Sequence, residues 1–475
     1  MENTTSTPVI IDMADAEKAD GPDLNYQDPT KLSWSRKLLV VVAGFTATFN
    51  CNLASSLPSG GLVSISEHFS VSERPLLVLL NSLYMVGYVL GPLLWGPLSE
   101  YKGRRPVLLS TFAGYLIFLL ASSIAPDYAS LLIFRTLGGI CASAPTAVIG
   151  GLYADVLDNP THRGIAMSFY LSITTAGPLV GPVISGYASQ ISWSWPFWIA
   201  AFIASPGIPL VLALPETYVP VLKQKAMVRW LQENGAHRKE IESVSSTGLD
   251  PRKIFLRPAV LMATEPVLLF MALYLALTYA IMFLTFQAYP IIFQEHYGLS
   301  PARAGLAYIP IIIGVLSAFV AGTFYGWYFD NAAANGAPWA QKEVYRRLPI
   351  ACVGSPFMVI GLFWLGWTSY PGSIPAITPM MSGIVFGFGM QLIYIGGLNF
   401  ITDAFKTLSA SAHSAAGITR SISAVLLPLA TSAMYSNLGV HWAPSLLAFL
   451  SLAMGLVPFV FIYFGDSFKP RTVPV

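Results

Sequence analysis

The chain has 475 residues, of which 54% are hydrophobic and 11% are charged. A soluble multidomain protein of this length is less apolar, so the composition places the chain in a membrane. The formal net charge of +2 offers no basic face, and we expect no nucleic-acid partner. The cysteines Cys51, Cys141 and Cys352 lie inside apolar stretches, where a thiol is usually a small core side chain, so we expect no disulfide or metal site.

Twelve apolar segments are long enough to cross the hydrocarbon core, which takes about 20 residues. We number them spans 1 to 12, at residues 38–60, 76–98, 106–125, 130–154, 164–187, 195–214, 265–288, 305–327, 348–368, 374–397, 408–433 and 442–464. Residues 215–262 are rich in Lys, Glu, Gln and Ser and predict an aqueous linker with an amphipathic helix at about Lys223 to Gln232. The predicted fold is all-α, with six-helix bundles at 36–214 and 263–466 and tails at 1–35 and 467–475.

The positive charges lie almost entirely on one side of the predicted spans. Of the 26 Lys and Arg residues, only Arg74 and Arg303 fall in loops of the other side, and only Arg135 and Arg420 fall within spans. Because Lys and Arg resist translocation, this asymmetry predicts that both termini, the linker and the loops after spans 2, 4, 8 and 10 are cytoplasmic.

The loop after span 2 reads GPLSEYKGRRP from Gly96 to Pro106. It resembles the G-x-L-a-D-r-x-G-R-r-p loop of the major facilitator superfamily, with glutamate in place of the commoner aspartate. In that family the loop is a conformational latch. The resemblance implies a latch formed by Gly96, Glu100, Gly103, Arg104, Arg105 and Asp155. Asp155 ends span 4 and is the expected partner of the arginines, since a guanidinium and a carboxylate pair strongly. The alternative is a loop whose charge serves topology alone.

Span 5 contains the string GPLVGPVISG from Gly177 to Gly186. It resembles the g-x-x-x-G-P-x-x-G-G signature of antiporters in the same superfamily, with Ser185 at one glycine position. The matching residues are Gly177, Gly181, Pro182 and Gly186. Small residues four apart let two helices meet closely, and the resemblance implies export rather than uptake. The alternative is generic packing of small residues.

Arg135 lies several residues from the end of span 4 in a string that resembles the R-x-x-x-G motif of the family. An arginine at the centre of a bilayer costs about 2.5 to 3.5 kcal/mol on insertion scales, so Arg135 is predicted to face the protein interior. The resemblance favours a role in proton coupling. The alternative is a side chain that reaches the headgroups. Asp403, which ends span 10, is the second candidate for proton coupling, although the residues alone do not single out a proton carrier.

The second half of the sequence resembles one particular branch of the superfamily. A degenerate copy of the latch string, GWYFD at 326–330, ends span 8, as a repeat-built transporter predicts. The strings FQAYP at 286–290 and GLNFITD at 397–403 resemble the twelve-span drug:H+ antiporter branch of fungi. Many members of that branch have glutamate where this chain has Gln287. An amide cannot titrate, so polyamine export becomes a weaker expectation.

In the family, spans 1, 4, 7 and 10 surround the substrate. The resemblance implies cavity candidates at Asn50, Tyr279, Gln287, Gln391, Tyr394 and Asn399. Aromatic faces with uncharged hydrogen-bonding groups suit an amphipathic molecule that is neutral or weakly charged. Such residues are also common helix contacts, and Arg135 or Arg420 could instead recognise a carboxylate.

These features predict a secondary transporter that expels a drug, toxin or secondary metabolite in exchange for protons. The alternatives are proton-coupled uptake of a nutrient and export of an organic acid. We expect no enzyme activity, because metal-ligand clusters, a nucleophile elbow and a Walker loop are all missing from the sequence. The expected partners are a small-molecule substrate, protons and membrane lipid, with no cofactor. We expect a monomer in the plasma membrane.

Overall fold

The computed structural model describes residues 26–234, 251–341, 344–405 and 409–464. Each of the twelve predicted segments contains helix. In the first half the helices are Trp34–Ser56 for span 1, Arg74–Lys102 for span 2, Arg104–Ser123 for span 3, Tyr128–Ala142 and Ala144–Val156 for span 4, Pro160–Ala188 for span 5, and Trp195–Ala204 and Gly207–Leu212 for span 6. Shorter helices lie at Pro29–Lys31, Leu57–Gly60 and Leu62–Phe69.

The second half repeats this arrangement. Its helices are Pro266–Tyr289 for span 7, continued by a π-helix at Pro290–His296, Tyr308–Ala334 for span 8, Val344–Trp367 for span 9, Ile377–Ala404 for span 10, Ser409–Leu429 for span 11 and Thr431–Phe464 for span 12. Short helices also lie at Pro301–Gly305 and Pro338–Gln341. The helix of span 12 crosses a non-helical residue, Gly439, whose φ of 73° favours glycine.

Within the described part of the chain, 10 helices are long and apolar enough to cross a membrane. Spans 6 and 11 do not meet that criterion. Span 6 is two short helices rather than one, because the chain breaks next to Pro206, and proline has no backbone N–H to continue a helix. Span 11 has the necessary length, but its serine, threonine, histidine and arginine residues keep its hydropathy below that criterion.

The linker contains more helix than its composition predicts. The expected amphipathic helix is present at Val219–Glu233. A second helix, Pro251–Thr264, falls mostly inside the predicted aqueous segment and packs against span 11 and span 2. In the sequence, the basic residues Arg252, Lys253 and Arg257 led to the prediction of a solvated segment here. We call the membrane face that carries the linker the linker face, and the opposite one the far face.

The two halves are joined on the far face and near the middle of the spans. Span 2 packs against span 11 and span 5 against span 8. On the far face Arg74 forms an ion pair of 2.8 Å with Glu295, and a Cβ on Gly186 would stand 2.6 Å from the carbonyl oxygen of Pro301. By contrast, a Cβ on Gly96, at the linker-face end of span 2, would meet nothing within 4 Å. The far face is therefore closed in this conformation.

Candidate functional site

Arg104, the first residue of span 3, is the centre of the predicted latch. Its Nε lies 3.4 Å from Asp155 Oδ2, and its Nη1 donates to Ser99 Oγ at 2.8 Å. The guanidinium also lies over the ring of Tyr218, 4.8 Å from its centroid. The side chain is only 9% exposed, so these contacts are partly withdrawn from water. The expected pair of Arg104 with Asp155 is present.

Glu216, at the start of the linker, is a member of this cluster that the sequence did not reveal. Its carboxylate accepts hydrogen bonds from the backbone N–H of Arg104 at 2.9 Å and of Arg105 at 3.2 Å. These donors belong to the first turn of span 3, which has no intrahelical acceptors for them and carries the positive end of the helix dipole. Glu216 therefore ties the linker to the latch loop. The only sequence signal was an acid directly after span 6.

Gly103 is required by the backbone of this loop. Its φ of 104° and ψ of 162° lie in a region that only glycine adopts without strain, and an added Cβ would collide with the Glu216 carboxylate. Arg105 is exposed and donates to the carbonyl oxygen of Leu212 at 3.2 Å. Glu100 is exposed as well. The structure therefore brings most of the predicted latch together within the first half and the linker.

The second half contains an ion pair in the corresponding place. Arg347, near the start of span 9, lies 2.8 Å from Asp403, near the end of span 10, as Arg104 and Asp155 do in spans 3 and 4. Both side chains of this pair are partly exposed, at 27% and 34%. Asp403, predicted as a candidate for proton coupling, is thus part of a second charged cluster on the linker face.

Arg135 faces the protein interior, as predicted, and the residue is 2% exposed. Its guanidinium donates to three backbone carbonyl oxygens: Nη1 to Ala54 at 2.7 Å, Nη2 to Ser55 at 3.0 Å and Nε to Leu80 at 3.0 Å. It also lies 4.3 Å from the centroid of the Tyr84 ring. Ala54 and Ser55 are in the last turn of span 1, whose carbonyl groups have no intrahelical partner. Arg135 therefore caps span 1 and ties spans 1, 2 and 4 together.

The glycines of the span 5 signature meet two different neighbours. Cβ atoms on Gly177 and Gly181 would stand 3.1 Å and 2.9 Å from the backbone oxygens of Phe49 and Leu53 in span 1. Gly186 instead faces the second half at Pro301. The close helix approach that the spacing suggested is therefore present.

Two further contacts fasten the same stretch of span 5 to the end of span 1. The hydroxyl of Ser56 donates to the carbonyl oxygen of Pro178. The backbone N–H of Gly60 donates to Ser185 Oγ at 3.0 Å. Serine at this position of the signature thus provides a hydrogen bond that glycine could not, which accounts physically for the departure from the family string.

A polar cluster lies near the middle of the membrane, where Arg420 of span 11 meets two predicted cavity residues. The guanidinium carbon of Arg420 is 5.0 Å from the ring centroid of Tyr279 in span 7 and 5.8 Å from that of Tyr394 in span 10. The two rings are themselves 6.2 Å apart. We call these three residues the arginine–tyrosine cluster. They lie about 15 to 20 Å from the linker-face ends of their helices, at about 1.5 Å per residue.

The other predicted cavity residues are spread along the spans. Gln391 donates across the halves to Ser172 Oγ of span 5 at 3.1 Å, and its own oxygen is buried without a partner. Asn50 and Asn399 donate to carbonyl oxygens of their own helices, as helix-packing residues do. Gln287 lies near the far-face end of span 7, with a buried amide nitrogen that has no partner. Only Tyr279 and Tyr394 are seen in contact with one another.

Glu265 precedes span 7 on the linker face and is a further buried acid. The residue is 3% exposed, and its Oε1 has no hydrogen-bond partner among the described residues. None of the ion pairs within 4.0 Å in the described part of the chain includes it. Burying such an oxygen costs free energy unless a proton, a water molecule or a ligand meets it.

Comparisons with known proteins give the family. The model described as Major Facilitator Superfamily matches residues 41–426. The chain is 34% identical over 477 residues to "Efflux pump FUB11" of Gibberella moniliformis, which covers 99% of this chain and 78% of that protein. It is 35% identical over 472 residues to "Citrinin biosynthesis cluster MFS transporter mrr1" of Monascus ruber, covering 98% and 92%.

Solved structures agree on the fold. The proton:xylose symporter XylE, solved with 6-bromo-6-deoxy-D-glucose, matches with a TM-score of 0.66 and 17% identity, covering 92% of this chain and 96% of that one. The human organic anion transporter MFSD10 matches with a TM-score of 0.59 and 16% identity, covering 89% and 99%. The chain therefore belongs to the Major Facilitator Superfamily, and it is a multi-pass membrane transporter of small molecules rather than an enzyme.

Proposed function

We propose that the chain expels a small organic compound from the cell in exchange for protons. The observation that carries this proposal is the similarity, over nearly the whole chain, to proteins named as efflux pumps and as transporters of biosynthetic clusters. The antiporter-like string of span 5, packed tightly against span 1, supports the same direction. A drug, a toxin or a secondary metabolite is the class of substrate, and a nutrient taken up from outside is the alternative.

We also propose a membrane for the transporter and an orientation of its termini. The concentration of Lys and Arg on the linker face supports cytoplasmic termini, and a plasma membrane location suits export. With that orientation, the conformation described above is closed to the outside. The substrate would enter the arginine–tyrosine cluster from the cytoplasm, and the halves would then rock to open the far face. We propose that a monomer, surrounded by lipid, carries out the cycle.

The full chain reconstituted into proteoliposomes tests the proposal. A defined panel of aromatic acids, amides and amines is offered, and the pH is set so that the lumen is acidic. We expect at least one compound to accumulate in the lumen through transporters whose linker face is outward, and a protonophore to abolish the accumulation. Transport that is indifferent to the gradient would contradict antiport. Accumulation driven by the opposite gradient would support the uptake alternative.

We propose three residues for proton coupling. One of them must be a titratable group that takes up the proton. Asp403 and Arg135 were predicted from the sequence, and Glu265 joins them because it is buried without a cationic partner in the described residues. Asp403 has Arg347 as its partner, and Arg135 uses its donors on backbone oxygens. These contacts suit positioning roles. Glu265 is thus the carboxyl group that we propose takes up the proton.

We expect Glu265→Gln to abolish accumulation driven by the gradient while leaving equilibrium exchange of the same compound across the membrane. The amide keeps the shape of the side chain but cannot titrate. Asp403→Asn is the matched variant, and it should slow both processes together because it breaks an ion pair on the linker face. Both rates are measured in the proteoliposomes described above. Gradient-driven transport that survives in the Glu265 variant, but not in the Asp403 variant, would transfer the role to Asp403.

A further inference from the structure

Two arginines lie inside spans, and their surroundings differ. Arg135 donates to three backbone oxygens. Arg420 takes part in none of the hydrogen bonds or ion pairs between described residues, and its Nε is buried without a partner. Its visible contacts are the faces of Tyr279 and Tyr394. Of the two arginines that could recognise a carboxylate, only Arg420 has N–H donors that are not used by the described residues.

The arginine–tyrosine cluster carries a positive charge that no carboxylate of the described residues balances within 4.0 Å. An unpaired cation within a membrane span costs free energy, and such residues usually line a substrate pathway. Two tyrosine faces reduce that cost, since cation–π contacts are favourable within about 6 Å. None of the described residues accepts a hydrogen bond from the guanidinium, and its Nε is buried. An anion is the group that would satisfy both the charge and the donors.

We propose that the transported compound is an amphipathic organic anion, held by its carboxylate or enolate oxygens on Arg420 and by a flat ring against Tyr279 or Tyr394. A planar guanidinium matches a carboxylate with two parallel hydrogen bonds. Phe283, whose ring centroid is 4.8 Å from that of Tyr279, extends the aromatic wall. This inference rests on the proposed function and names its substrate class.

The elements around Arg420 are consistent with this assignment. Span 5 contributes Tyr170, which lies within electrostatic reach of the guanidinium. Span 11 contributes His413, also within reach, whose ring nitrogen is 2.7 Å from the Thr402 hydroxyl. No carboxylate of the described residues lies within 4.0 Å of Arg420. The substrate itself would therefore supply the negative charge.

Equilibrium binding to the purified full chain tests this with a matched pair of probes, 2-naphthoate and its neutral amide, 2-naphthamide. We expect the carboxylate to bind at least about tenfold more tightly than the amide, because charge-assisted hydrogen bonds are stronger than neutral ones. Arg420→Gln should bring the ratio of affinities to about one, mainly by weakening the carboxylate. Arg420→Lys should keep part of the preference for the carboxylate, since lysine keeps the charge but cannot donate two parallel hydrogen bonds as the planar guanidinium does.

Arg303→Gln is the control, because Arg303 is exposed at the far face and its loss removes the same charge from outside the cluster. It should leave the ratio unchanged. Equal affinity of the wild type for both probes, or no saturable binding of either, would overturn the inference. A ratio that survives in Arg420→Gln would overturn it as well. If the glutamine variant does not fold, the wild-type ratio and the lysine variant decide. The assay uses no gradient, so failure of proton coupling leaves its result intact.

Discussion

Replacement of Arg135 by alanine is expected to lower the free energy of unfolding by about 3 kcal/mol and to reduce transport at least about tenfold. Arg135 is 2% exposed, and its guanidinium donates to the carbonyl groups of Ala54, Ser55 and Leu80. Each buried acceptor that loses its donor costs about 1 to 3 kcal/mol. The truncation also leaves a void beside the ring of Tyr84, which the guanidinium covers at 4.3 Å.

The lysine variant separates stability from proton coupling. Lysine keeps the positive charge, but its three N–H donors share one nitrogen atom. That single nitrogen cannot reach carbonyl groups on spans 1 and 2 together. We expect a smaller loss of stability than in the alanine variant. If Arg135 also takes part in coupling, Arg135→Lys will bind its substrate normally and exchange it, yet fail to accumulate it against a proton gradient.

Thr136→Ala is the matched control for these variants. The Thr136 hydroxyl donates only to Leu132 in its own helix, at 2.8 Å, so its loss should change the free energy of unfolding by less than about 0.5 kcal/mol. Stability is measured by thermal unfolding of the purified chain, and transport in proteoliposomes. Normal stability and normal transport in Arg135→Ala would mean that the carbonyl contacts contribute little to the protein.

The sequence predicts the fold well because the dominant signal is length and hydrophobicity. Ten helices satisfy that signal outright, and the remaining two, spans 6 and 11, were still found as apolar segments. The errors have local causes. Pro206 interrupts span 6 within an otherwise continuous apolar run. The basic residues of the helix Pro251–Thr264 made it resemble an aqueous loop in the sequence, although it packs against other helices.

The candidate site was predictable where one short string contains the interacting residues. Arg104 and Asp155 were expected to pair because a motif marks the arginine and an acid ends the neighbouring span. Glu216 was missed, since its acceptor role depends on backbone N–H groups 112 and 111 residues away. The partners of Arg135 were equally hidden, because a sequence cannot show which carbonyl oxygens a fold leaves unpaired. The contacts of the site that could not be predicted from the sequence are therefore those between side chains and distant backbone groups.

The second large effect is expected for Arg104→Ala, which should shift the protein toward the conformation open at the linker face and lower turnover several-fold. Here Arg104 holds Asp155, Ser99 and Tyr218 in one cluster, next to the carboxylate of Glu216. An isolated, partly exposed pair contributes about 0 to 1 kcal/mol, but a desolvated network contributes more. A change of about 1.4 kcal/mol already alters a two-state population tenfold.

We propose that the cluster must be intact for the linker face to close. In the present conformation Glu100 is exposed, and an added Cβ on Gly96 would meet nothing within 4 Å, so this end of span 2 is free to meet the second half later in the cycle. Loss of Arg104 would leave the loop that carries Glu100 without its anchor to span 4. We therefore expect the closed linker face to lose stability while the far-face contacts of Arg74 and Glu295 persist.

Cysteine accessibility at Gly417 measures this shift. A Cβ at that position of span 11 would meet nothing within 4 Å, so Gly417→Cys fits without strain once Cys51, Cys141 and Cys352 are replaced by alanine. We expect labelling from the linker face to rise several-fold in Arg104→Ala. Lys102→Ala removes the same charge from an exposed residue of the same loop and should leave labelling and transport unchanged. Unaltered labelling and normal transport in Arg104→Ala would show that the loop serves only to fix topology.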